Sequence, residues 1–228
     1  MHTHSDVWVV IAAWCEAPRL ARTLAGVCAQ DVQVVVVDDG STDETARVAL
    51  EHPVWLISHP FNCGQGAALQ TGIDFTLERG AKTIVTFDAD GQHVAEEIPH
   101  LVKPIAAGDV DVVLGSRFLS AAAEGMPRAR RAVLRLAVLF TRIFSGIRVT
   151  DTHNGFRAFS RRAAQEIRIT QNRMAHGSEI LDQISHRGLS YCEVPVTIRY
   201  NAETLAKGQS GWNALRIVSQ LFLSRLVR

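Results

Sequence analysis

Asp88 and Asp90 stand one residue apart in Thr86-Phe87-Asp88-Ala89-Asp90-Gly91-Gln92-His93, where the apolar run Thr83-Ile84-Val85-Thr86-Phe87 ends. Carboxylates this close repel one another, and at the tip of a buried strand they also lose water, so the pair calls for a positive charge between them. Oxygen donors of this kind suit a hard divalent cation such as Mg²⁺ or Mn²⁺, which commonly bridges a protein to a phosphorylated ligand. A second acidic strand end lies upstream in Val34-Val35-Val36-Val37-Asp38-Asp39-Gly40-Ser41. Ligands of open α/β sheets bind at the carboxyl ends of strands, so one cleft can contain both clusters. Asp38 and Asp39 also suit the start of the next helix, where acidic side chains cap and offset the helix dipole.

The elements that must position these groups follow from periodicity. Short β-branched runs alternate with amphipathic segments, the pattern of a mainly parallel sheet covered by helices. Strands are expected near 7–12, 33–37, 54–58, 83–87 and 111–115, and helices near 17–29, 42–51, 65–79, 95–107 and 128–145. Asp39-Gly40-Ser41-Thr42-Asp43-Glu44 combines a glycine turn, hydroxyl caps and first-turn acids ahead of a helix. Beyond the fifth strand Gly155, Gly177, Gly188, Gly208 and Gly211 mark turns between shorter elements. A dinucleotide site of the Rossmann type needs Gly-x-Gly-x-x-Gly after the first strand. This chain has Ala12-Ala13-Trp14-Cys15-Glu16-Ala17 there, and its Gly-rich loop, Asn62-Cys63-Gly64-Gln65-Gly66-Ala67, follows the third strand instead.

With 228 residues, 47% of them hydrophobic and 21% charged, the chain can bury a full core as a single domain. A net charge of +1 argues against nucleic-acid binding. Cys15, Cys28, Cys63 and Cys192 have no Cys-x-x-Cys spacing, which speaks against zinc and fits a reducing cytoplasm. The first residues lack a basic region followed by an apolar core, and no apolar run approaches the roughly 20 residues needed to cross a bilayer. One feature stands apart: every charged residue from Met126 to Thr150 is arginine, namely Arg128, Arg130, Arg131, Arg135, Arg142 and Arg148. Arg128 to Ile147 reads as an amphipathic helix suited to an anionic membrane surface, and Trp212 to Arg228 carries a second apolar stripe. The same stripes would also serve packing within the domain or in a homodimer.

Several of these segments together resemble glycosyltransferase family 2, particularly its polyprenyl-phosphate, dolichol-phosphate mannose synthase-like branch. They are Ile11 to Glu16, Val37 to Asp43, Asn62-x-Gly64-x-Gly66-Ala67, Asp88 to Gln92, Gly115-Ser116-Arg117, Asp151-Thr152-x-x-Gly155-Phe156-Arg157 and Lys207-Gly208-x-Ser210. The resemblance implies a GT-A fold, with about 7–118 binding the nucleotide sugar and 119–228 binding the acceptor and the membrane interface. It further implies donor-nucleotide contacts at Ala12, Trp14, Glu16, Asp39, Gly66 and Asp88, and a metal held by Asp88, Asp90 and Gln92. Asp90 and Arg117 are the expected catalytic residues, and Arg117, Arg130, Arg131, Arg157 and Lys207 the expected contacts to an acceptor phosphate. Glu16 has an alternative reading as an ordinary first-turn acid, and Gly64 and Gly66 read equally as glycines of a tight loop.

The expected chemistry is inverting transfer of one sugar from a UDP- or GDP-sugar to a polyprenyl phosphate at the inner face of the membrane. A small membrane protein or a second copy of the chain is a candidate partner. A phosphomonoester carries a charge of about −1.5 to −2 near neutral pH, so its oxygen attacks without a strong general base. Family members that glycosylate sugar hydroxyls use an Asp in a Glu-Asp motif, and synthases of long polysaccharides often add Gln-x-x-Arg-Trp; neither string occurs here. The alternatives are a family 2 transferase acting on a glycan or small-molecule hydroxyl, and a catalytically silent nucleotide-sugar-binding subunit.

Overall fold

The computed structural model describes residues 5–119, 147–152, 154–171 and 175–199. The Arg-rich segment with Arg128, Arg130 and Arg131, and the terminal segment with Lys207, lie outside the described residues. The first half builds β1 (Val7–Ala13), α1 (Ala17–Cys28), β2 (Gln33–Asp38), α2 (Thr45–Leu50), β3 (Trp55–Ser58), α3 (Gln65–Glu78), β4 (Thr83–Asp88), a 3₁₀ turn (Ala95–Glu97) running into α4 (Ile98–Ala106), and β5 (Val112–Ser116). The expected strands are each found within a residue or two. The helix expected at 42–51 starts later because Asp43 Oδ1 accepts from both the amide and the hydroxyl of Thr45, holding that stretch as a turn.

β1 lies at the centre of the parallel part of the sheet, with β2 and then β3 on one side and β4 on the other. Both faces are covered, as burial of β-branched runs such as Val34-Val35-Val36-Val37 requires. Side chains alternate between the faces. Trp8, Val10, Val35 and Val37 join Leu69 and Ile73 of α3 in one core, whereas Val9, Ile11, Val34 and Val36 meet Leu20 and Leu24 of α1 and Leu101 of α4 in the other.

The second half supplies β6 (Arg157–Ser160), α5 (Arg161–Glu166), α6 (Ala175–His186) and β7 (Tyr191–Pro195). β6 enters antiparallel between β4 and β5, and β7 extends the sheet parallel to β5, giving the order β3-β2-β1-β4-β6-β5-β7. The two sequence halves therefore share one sheet. No helix among the described residues is long and apolar enough to cross a membrane.

α3 approaches the sheet closely because Gly72 carries no side chain: a Cβ there would lie 2.3 Å from Cγ1 of Val10 on the central strand. Gly72→Ala would gain about 1 kcal/mol of helix propensity but overpack a core site at a cost of about 1–3 kcal/mol. Because Val10 is fully buried and cannot retreat, the clash dominates. The expected result is a lower urea midpoint with an unchanged m-value, read by equilibrium unfolding.

Candidate active site

Strand register builds the site. Ala12 of β1 pairs with Val37 of β2 and Asp88 of β4, and Ala13 pairs with Asp38, so both acidic strand ends reach the same level beside the end of the central strand. This is where the chain order reverses across the sheet, the usual crevice for a ligand in such folds.

Asp88 is clasped. Its Oδ2 lies 2.9 Å from Nε2 of His93, its Oδ1 accepts from Gln65 Nε2 at 3.3 Å, and Gly155 presses against the carboxylate face. Burial pushes its pKa up, but the hydrogen bond with His93 and the fields of His93, His176 and Arg157 outweigh this and hold it below the ordinary carboxylate value. Asp90 behaves oppositely. Burial first, and then the charge of Asp88, raise its pKa, with Glu16 adding to the rise and the Gln92 amide, 3.0 Å from Oδ1, partly offsetting it. Glu16, Asp88 and Asp90 thus form one acidic field. Oxygen donors on Asp88, Asp90 and Gln92 fit a hard divalent cation, which would relieve a repulsion that the protein's own cations do not remove at Asp90.

The turn carrying Trp14 and Glu16 is fastened to the loop after β2. Cys15 takes a left-handed φ of +53° and its amide donates to Ser41 Oγ, the Glu16 amide donates to Thr45 Oγ1, and Oε2 of Glu16 pairs with Arg19. Trp14, between the end of β1 and this turn, is 55% exposed and offers a flat apolar surface. Asp39 is used differently. It is 2% exposed and accepts from the amides of Cys63 and Gly64 at 2.9 and 2.7 Å, with His59 Nδ1 at 2.8 Å and His59 Nε2 in turn 3.0 Å from Thr71 Oγ1. Ligand-type atoms of Asp39, His59 and Cys63 come within 4.8 Å of one another. Because the Asp39 carboxylate is already satisfied by two amides and the imidazole, the group reads as an anchor for the loop leading to α3. Asp38 accepts from the Ser41 amide, the turn-capping arrangement that its position allows. Gly66 serves packing: a Cβ there would lie 2.2 Å from the Gln171 carbonyl.

Arg117, directly after β5, is buried with its Nε 2.6 Å from Asp151 Oδ2. The backbone beside Asp151 is fixed by Glu193, which accepts from the Thr150 and Asp151 amides. Arg157, also buried, donates to the carbonyls of Asn154, Thr152 and Gly177. Burial brings its pKa down to about 10, against the pull of Asp151 and Asp88, so it remains a cation near neutral pH behind the Asp88 carboxylate. The structure therefore brings Ala12, Glu16, Asp88 and Asp90 together at the ends of β1 and β4, with the Gln92 amide on Asp90, and turns Asp39 and Arg157 toward protein groups. Sequence reasoning gave no role to His93, Gln65 or Gly155 as supports of Asp88. His93 was within the motif, but nothing local announces that Gly155 packs on a carboxylate from another strand.

The family model described as glycosyl transferase family 2 matches residues 8–168. UDP-N-acetylglucosamine–dolichyl-phosphate N-acetylglucosaminyltransferase of Methanococcus voltae is 28% identical, the match covering 96% of this chain and 96% of that protein. Polyprenol monophosphomannose synthase of Mycolicibacterium smegmatis is 30% identical over 83% of this chain and 76% of its own length. The fold is similar to that of glucosyl-3-phosphoglycerate synthase from Mycobacterium tuberculosis, crystallised with Mn²⁺, UDP and glucosyl-3-phosphoglycerate, with a TM-score of 0.71, 21% identity and coverage of 96% and 79% of the two chains.

Two outcomes test this geometry. A Cβ at Gly155 would lie 2.6 and 2.7 Å from the two Asp88 oxygens, so Gly155→Ala should displace the carboxylate. Mn²⁺ affinity, read by electron paramagnetic resonance, is expected to fall about 10–100-fold, the usual effect of disturbing a ligand's support. Asp90, with its pKa raised on folding, adds stability below the unfolded carboxylate pKa and loses it as pH rises through the folded value. Metal-free Asp90→Asn should therefore melt higher than the wild type at pH 7, by about 2–4 °C per kcal/mol relieved, and lose that advantage near pH 3; calorimetry in EDTA measures both.

Proposed function

The chain belongs to glycosyl transferase family 2, and from that premise we propose that this glycosyltransferase moves one sugar from a nucleotide-diphosphate sugar to a polyprenyl phosphate. The observation that carries the donor side is the acidic pair at the end of β4, one member held below the ordinary carboxylate pKa and the other raised by burial and then by its neighbour. The lipid-phosphate acceptor is supported by relatives that match most of the chain and whose names specify dolichyl phosphate or a polyprenol monophosphate product.

Asp88, Asp90 and Gln92 would hold Mg²⁺ or Mn²⁺; the related fold crystallised with Mn²⁺ and UDP supports the pairing of metal and nucleotide. When bound, the cation supplies Lewis-acid stabilisation of the charge that develops on the departing diphosphate. Trp14 offers a stacking surface for the nucleobase, and Glu16 beside it a carboxylate for base or ribose. Arg117, held by Asp151, places a guanidinium at the end of β5 for an anionic acceptor, with Arg130, Arg131 and Lys207 as further counter-charges. The Arg-rich segment would keep the enzyme peripheral at the cytoplasmic membrane face.

Product analysis with labelled UDP- and GDP-sugars, polyprenyl phosphate and Mn²⁺ tests the proposal. The expected product is a lipid-phosphate sugar released by mild acid, and Asp90→Ala is expected to abolish it while keeping a cooperative melt. Label found only in an alkali-stable glycoside would reject the lipid acceptor.

A further inference from the structure

His93 follows Gln92 and is fixed from both sides of its backbone. Its main chain bridges antiparallel to Ile198, and the neighbouring Gln92 carbonyl accepts from the Arg199 amide at 2.9 Å. The side chain is 2% exposed and sits between Phe87 and Phe156, with ring centroids 5.2 and 5.0 Å away. One nitrogen, Nε2, meets Asp88 Oδ2 at 2.9 Å; the other, Nδ1, is buried with no hydrogen-bond partner among the described residues.

As filler, this is a poor choice of side chain. An aromatic slot lined by Phe87 and Phe156 would accept an apolar residue without loss, whereas a buried polar atom left unsatisfied costs about 1–3 kcal/mol. The arrangement is economical only if Nε2 has a task. Of the two neutral tautomers, the one protonated at Nε2 places its hydrogen on an acceptor, and the one protonated at Nδ1 would bury a donor against carbon while setting a lone pair against a carboxylate. The ring is thus a one-ended hydrogen-bond donor aimed at Asp88.

We propose that His93 is a positioning residue for the cation site: its Nε2–H fixes Oδ2 of Asp88, so that the carboxylate keeps one orientation and directs its remaining lone pairs at the ion. Gln65, at 3.3 Å, is too long a contact to hold Asp88 alone, and Gly155 limits where the carboxylate can go without pulling it anywhere. Outer partners that orient a ligating carboxylate typically change metal affinity about 10–100-fold when removed. The proposal rests on the reading of Asp88 and Asp90 as cation ligands.

Three substitutions separate the donor from the ring. His93→Phe keeps an aromatic body and removes the donor; His93→Asn can supply an amide near the Nδ1 position but cannot reach Asp88; His93→Gln can place an amide N–H near the Nε2 position. Mn²⁺ alone is titrated into each metal-free protein, read by electron paramagnetic resonance, with thermal melts as a check on folding. The wild type should show a Mn²⁺ site that Asp90→Ala destroys. His93→Phe and His93→Asn should weaken it about 10–100-fold, and His93→Gln should restore most of the loss. In parallel, ¹⁵N NMR of the wild-type imidazole should report the proton on Nε2.

Equal Mn²⁺ affinity in the wild type and folded His93→Phe and His93→Asn variants would overturn the proposal, as would a ring protonated on Nδ1 with no proton on Nε2. A Gln variant as weak as the Asn variant would also overturn it, because ring packing and not the donor would then control the site. A wild type that binds no Mn²⁺, yet shows the Nε2 proton, would fail the cation reading itself and is distinguishable from those results.

Discussion

The constraint on which the site depends is the placement of like charges in a low-dielectric crevice. Asp88 keeps its charge because His93, His176 and Arg157 surround it, and burial, followed by that retained charge, disfavours ionisation of Asp90. The protein stabilises one carboxylate and leaves the other under strain. Such asymmetry suits the proposed donor site, where a bound cation would remove a repulsion that the empty form must tolerate.

The fold enforces this placement through register. β1 supplies no acid to the pair, yet Ala12 and Ala13 determine how far β2 and β4 extend beside it, and hence where Asp38 and Asp88 emerge. A slip of one residue in either pairing would turn each strand's side chains to the opposite face. The two hydrophobic cores, which take alternate residues of every central strand, make that slip costly. Stability of the core and geometry of the site are therefore one property.

Sequence periodicity revealed the first five strands because each is a run of β-branched or apolar residues between turn signals, and it placed Asp88 and Asp90 at a strand end on that basis. β6 was hidden because Arg157, a charged residue, lies in a buried strand of only four residues; the carbonyls of Thr152, Asn154 and Gly177 that make this tolerable come from loops and a helix with no local signature. Asp39 shows a different limit. Its residue type and position marked an acidic strand end, but whether its oxygens face a ligand or the Cys63 and Gly64 amides depends on how the loop after β3 returns across the sheet. Arg117 likewise stood out as a cation, whereas its pairing with Asp151 depends on contact between distant segments.

The antiparallel strand β6 has a consequence for how the polypeptide acquires its shape during synthesis. β1 to β4 can pair with one another as soon as they are made, but among the described strands β5 bonds only to β6 and β7, both of which are made later. Until then the outer edge of β4 is unsatisfied and Val112-Val113-Leu114 has no partner strand, a state open to pairing with other chains. Gly155, which packs against Asp88, and β6, which joins β4 to β5, lie in the same stretch of nascent chain, so the candidate site is completed only when this aggregation-prone interval ends.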